Sequence, residues 1–116
     1  MKVLIVDDDP AIRMLYKEEL EDEGYEVVIA SSGEEALNLF DSENPDIVTL
    51  DILMPGMDGI QVLRHMKEKN PRLPIIMSTA YDYRDDFAIW ASEAYIVKSA
   101  DLTQLKETIR KLVSKK

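Results

Sequence analysis

The chain has no cysteine, which excludes disulfides and thiolate metal sites. Histidine is almost as scarce. His65 is the only one, and beside Arg64 in a helical stretch it is expected to be an exposed structural residue. Long apolar runs are missing too. The longest near the N-terminus, Val3-Leu4-Ile5-Val6, is too short for a signal segment or a membrane span, and three aspartates follow it directly. A reduced, cytoplasmic setting without membrane contact is the expectation. Positive charge is in deficit: 14 Lys and Arg against 23 Asp and Glu leave a net charge of −9, a field that repels nucleic acid. The local basic concentration of Lys106, Arg110, Lys111, Lys115 and Lys116 reads as a solvated helix end whose cations suit the helix dipole. No Ser/Gly linker, low-complexity tract or internal repeat interrupts the 116 residues. With 46% apolar content, residues 1–116 read as one domain with one hydrophobic core.

What the sequence does have is alternation. "KVLIV" (2–6) reads as a strand buried on both faces, and Pro10 to Glu23 as a helix with Ile12, Leu15, Tyr16 and Leu20 apolar, stopped at Gly24. "EVVIA" (26–30) is a second strand. Ser32 to Glu35 reads as a capping box before a helix carrying Ala36, Leu37 and Phe40. "DIVTL" (46–50) is a third strand, followed by a helix over 58–69 with Ile60, Leu63 and Met66 on one side. "IIMS" (75–78) and "YIV" (95–97) give two more strands, with a helix expected over 82–92. Asp101 is placed to cap a last helix that turns Leu102, Leu105, Ile109 and Leu112 inward. Five strands alternating with five helices predict an α/β, doubly wound parallel sheet covered by helices on both faces, a three-layer sandwich.

In such folds ligands bind beyond the carboxyl ends of the strands, near the switch in strand order. Those ends carry Asp7-Asp8-Asp9 on the first strand, Asp51 on the third, Ser78-Thr79-Ala80 on the fourth and Lys98 on the fifth. Two carboxylates about 4 Å apart repel by roughly 4 kcal/mol at an effective dielectric near 20. Asp7, Asp8 and Asp51 together therefore either raise a pKa or hold a cation. With only oxygen donors at hand, the natural cation is Mg²⁺, which keeps open positions for phosphate oxygens. Lys98 adds a point charge and Thr79 a hydroxyl. The set is equipment for handling a phosphoryl group.

"KVLIVDDDP", "PDIVTLDILMPGMDG", "LPIIMSTA" and "AYIVK", in this order, resemble the receiver domain of bacterial two-component response regulators over essentially the whole chain. The resemblance implies a flavodoxin-like (βα)5 fold with strand order 2-1-3-4-5. It implies Asp51 as the phosphoacceptor that takes a phosphoryl group from a histidine kinase or histidine phosphotransferase. Asp8, Asp51 and the Leu53 carbonyl match the Mg²⁺ ligands, and Asp7 the residue that orients the metal. Lys98 matches the phosphate-pairing lysine, Thr79 the switch hydroxyl and Tyr95 the switch aromatic. Ile12 and Leu15 fall on the helix that docks the histidine-bearing partner, where core packing is the competing role.

Two departures stand out. Ser99 follows Lys98 where the family usually has proline, and the stretch from Thr79 to Lys98 is shorter than usual, so the output surface is expected to differ. Leu53 and Tyr81 flank the path of a hydrolytic water in this fold, and neither is a good base, which predicts slow self-dephosphorylation without other turnover. Two rival classes compete with the switch. A receiver-like interaction module with impaired switching is motivated by residues 81–100. A haloacid-dehalogenase-like phosphatase using Asp7 as nucleophile and Asp9 as acid/base fits "LIVDDDPAI" but leaves "LDILMPGMDG" unexplained. The chain ends soon after the last helix, as in a stand-alone receiver or a portion of a longer regulator, and it names no downstream target.

Overall fold

The computed structural model describes residues 1–51, 59–79, 94–97 and 102–114, with Thr79, residues 94–97 and Ser114 described by backbone alone. The elements in chain order are β1 (Lys2–Val6), α1 (Pro10–Asp22), β2 (Glu26–Ala30), α2 (Gly33–Glu43), β3 (Ile47–Asp51), α3 (Gly59–Lys69), β4 (Ile75–Thr79), β5 (Ala94–Val97) and α4 (Thr103–Ser114). The five strands form one sheet in the order β2-β1-β3-β4-β5, and every neighbouring pair is parallel. The expected helix over 82–92 and the cap Asp101 lie outside the described residues. No described helix is long and apolar enough to cross a membrane.

Strand parity divides the interior into two cores rather than the single one expected. Val3, Ile5, Ile47 and Ile76 pack with Tyr16 and Leu20 of α1 and with Leu105 and Ile109 of α4. Leu4, Val6, Val48, Leu50, Ile75 and Met77 point the other way, against Ala36 and Phe40 of α2 and Val62, Leu63 and Met66 of α3. Alternate residues of a strand face opposite sides, so a sheet covered on both faces must be apolar at nearly every position. That is why these strands read as unbroken apolar runs.

The helix ends follow from local chemistry. α1 stops in a Schellman arrangement: the Tyr25 amide donates to the Leu20 carbonyl and the Gly24 amide to the Glu21 carbonyl, with Gly24 at φ +94. α2 starts where the Glu35 amide donates to Ser32 Oγ at 3.2 Å, but the Glu35 carboxylate accepts from the Ser31 amide instead of the Ser32 amide of a standard capping box. β3 begins one residue later than the sequence pattern suggests. The Asp46 carboxylate accepts from the Lys2 amide at 2.8 Å, pinning the strand's entry, and the ladder then runs on to include Asp51.

Candidate functional site

The order of the sheet reverses between β1 and β3, since the chain leaves β1 for β2 on one side and returns to β3 on the other. Asp7 and Asp8 follow β1 and Asp51 ends β3, so the acids stand at the switch point. Carboxylate oxygens of Asp7, Asp8 and Asp51 all lie within 4.8 Å of one another. Asp7 and Asp51 are 2% and 4% exposed, whereas Asp8 is open to solvent. The site is thus a half-sheltered acidic cup with one wet side.

Parity explains the convergence. Val3 is in register with Ile47 and Ile5 with Thr49, so odd-numbered positions of both strands share the face covered by α1 and α4. Asp7 and Asp51 continue those two rows. On β4, Ser78 is the register partner of Asp51 and is itself buried. Its hydroxyl shares a 3.3 Å hydrogen bond with the Tyr16 hydroxyl of α1.

The run of three aspartates is divided by function. Asp9 caps α1, its Oδ1 accepting from the Ala11 amide at 2.9 Å, with Pro10 at the first helical position. That engagement gives Asp9 a structural role as the cap of the helix. Asp7 is held from two sides: its Oδ1 accepts from the Asp9 amide at 2.9 Å, and its carbonyl accepts from Arg13 Nη1 at 2.7 Å. Asp8 projects from this fixed turn.

An oxygen-only donor set, sheltered at the base and open to water on one side, fits Mg²⁺, which binds through one or two carboxylates and retains other positions for water and phosphate oxygens. Thr79 ends β4, in register with Val97 at the end of β5, and Tyr95 pairs with Met77. Tyr95 therefore stands on the strand beside Thr79, two positions before the register partner of Thr79. Lys98, Leu53 and Tyr81 lie outside the described residues.

On α1, Leu15 is 37% exposed, as is its neighbour Met14 at 49%, while Ile12 is half-buried and packs on the core. Of the basic stretch, Lys106 is drawn to Glu19 at 2.7 Å and approaches Glu23, while Arg110 and Lys111 are exposed as expected and Lys115 and Lys116 lie outside the described residues. Arg13 and the Tyr16–Ser78 pair are the site features that sequence reasoning passed over. A signal for Arg13 existed. A cation in the opening turns of a helix opposes the helix dipole and asks for a reason.

The model of the response regulator receiver domain matches residues 3–110. Sporulation initiation phosphotransferase F of Bacillus subtilis is 35% identical over 113 residues, covering 95% of this chain and 91% of that protein. The probable transcriptional regulator ycf27 of Guillardia theta is 46% identical over 112 residues, of which 94% of this chain but only 44% of the relative takes part. Against the alkaline phosphatase synthesis regulator PhoP of Bacillus subtilis the chain covers 35% of the relative. It therefore spans less than half the length of these two regulators. Among solved structures, response regulator TrrA of Thermotoga maritima in complex with Mg²⁺-BeF superposes with a TM-score of 0.93 at 49% identity, covering 96% of this chain and 97% of that one. A structure of the histidine kinase ThkA in complex with TrrA gives a TM-score of 0.90.

Proposed function

We propose a mechanism from one premise: this chain belongs to the response regulator receiver family. Residues 1–116 form one receiver domain, a phosphoacceptor switch with Mg²⁺ as its cofactor. The observation that carries the reading is the meeting of Asp7, Asp8 and Asp51 at the sheet's switch point. Asp8, Asp51 and the Leu53 carbonyl would hold the ion, with Asp7 orienting it. When bound, the ion neutralises charge on the phosphoryl oxygens.

Asp51 is the nucleophile. Its carboxylate oxygen forms a bond to phosphorus as the bond from phosphorus to the donor's imidazole nitrogen breaks, and the imidazole leaves. Burial strips water from the Asp51 carboxylate, while the wet side at Asp8 admits the donor. Lys98 pairs with the phosphoryl oxygens, and Thr79 donates a hydrogen bond to them. The new charge and acceptors draw Thr79 inward, and Tyr95 follows into the space it leaves.

The donor is a histidine kinase or histidine phosphotransferase, as the ThkA complex of the related TrrA supports. Leu15 lies on its docking face. The setting is cytoplasmic. Beyond accepting one phosphoryl group and losing it slowly, the chain catalyses no turnover.

Intact mass after incubation with Mg²⁺ and acetyl phosphate tests this. Wild type is expected to gain one phosphoryl group and Asp51→Asn none, and the adduct followed over time reads its lifetime. Absence of an adduct, with a known receiver labelled alongside, would sink the switch and favour a pure interaction module.

A further inference from the structure

Arg13 sits in the opening turns of α1, where its backbone amide makes a helical bond to the Asp9 carbonyl at 3.0 Å. Side chains on a helix lean toward its N-terminus, and that of Arg13 runs back to the turn after β1. There Nη1 donates to the Asp7 carbonyl at 2.7 Å. Arg13 is half-buried and forms no ion pair with the acids of the pocket among the described residues. This is an unusual use of a cation. Its partner residue carries a carboxylate of the acidic group, yet the charge is directed at that residue's neutral backbone oxygen.

The geometry points to Arg13 as a positioning residue of the metal pocket. This rests on the reading of Asp7, Asp8 and Asp51 as that pocket. A peptide unit is planar, so fixing the Asp7 oxygen fixes the orientation of the Asp8 amide on the same plane and the direction in which the chain leaves toward Asp8. The Asp9 amide fixes the Asp7 carboxylate at the same time. Two bonds thus set the two acids of the first loop against Asp51 before any ion arrives. Because the guanidinium takes a carbonyl and not a carboxylate, it eases the mutual repulsion of the acids without occupying a ligand oxygen.

The sign of the effect separates positioning from simple charge. A cation beside a Mg²⁺ site repels the ion, so removing it for charge reasons alone tightens binding. Removing a positioning contact loosens it. Mg²⁺ titrations followed by the amide resonances of Asp7 to Asp9 are therefore made on wild type, Asp8→Asn, Arg13→Met and Arg13→Lys. Met keeps the apolar stem and preserves the fold, while Lys restores a charged donor of similar reach. Arg13→Met is expected to weaken Mg²⁺ binding by on the order of tenfold, the scale seen when a group supporting metal ligands is lost. Arg13→Lys should recover part of it. Unchanged or tighter binding in Arg13→Met, or no recovery in Arg13→Lys, would overturn the assignment. If Asp8→Asn binds Mg²⁺ as well as wild type, the pocket reading itself fails, a result distinct from a silent Arg13.

Discussion

Tyr16 and Ser78 are 62 positions apart, yet their hydroxyls meet in an otherwise apolar interior next to Asp51. A buried hydroxyl left without its partner costs about 1–3 kcal/mol. Tyr16→Phe is thus expected to lower stability by about 1–2 kcal/mol in urea unfolding. Adding Ser78→Ala should cost less than the sum of the two single changes, since the pair acts as a unit. At this scale the acids were legible, because a carboxylate at the end of an apolar strand is conspicuous. Tyr16 was read as core from its spacing with Leu20, and its ring is indeed buried. Its hydroxyl's partner belongs to another element, and no local pattern encodes it.

Among the elements, α1 carries most of the site's support and most of its exposed apolar surface. The sequence grouped Ile12 with Leu15, three residues apart and so on neighbouring positions of one helix. The fold separates them: Ile12 leans on the α1–α4 core, while Leu15 looks out beside Met14. Ile12→Ala is expected to lower stability by about 1–2 kcal/mol, less than a fully buried isoleucine would. Leu15→Ala should stay within about 0.5 kcal/mol of wild type in unfolding. In phosphotransfer assays with a cognate kinase, the Leu15 change is the one expected to slow transfer. For the described elements, strand and helix bounds were legible to within a residue, and the shift at β3 has a cause that crosses the chain. Asp46 serves the amide of Lys2, a contact between strand starts that sequence pattern does not reveal.

For the whole molecule, a net charge of −9 makes each internal cation count. Lys106 links α4 to α1, and its hydrogen bond with Glu19 raises its pKa above the ordinary lysine value of 10.5. The folded state therefore favours the protonated lysine. Its contribution is complete below pH 10.5 and fades as pH rises through the higher folded value. Lys106→Met should accordingly be less stable than wild type at neutral pH, with the gap closing in strongly alkaline buffer. Added salt should narrow the gap at neutral pH as well, because the pair is partly exposed. The overall architecture was readable from the alternation of elements. The division into two cores was not, because an apolar run records burial on both faces without saying which helix covers which.

That division has a consequence for how the protein tolerates change. Asp7, Asp51 and Ser78 share the side of the sheet covered by α1 and α4, while the side under α2 and α3 is lined by Val6, Leu50 and Met77. Along each strand alternate side chains face opposite ways, so the row that ends in Asp7, Asp51 and Ser78 is separate from the apolar row of Val6, Leu50 and Met77. On the apolar row of Val6, Leu50 and Met77, exchanges among hydrophobic side chains that keep volume are expected to be tolerated. On the other side, Arg13 and Tyr16 of α1 are tied to the Asp7 carbonyl and to Ser78, so a change in packing there is carried to the acids.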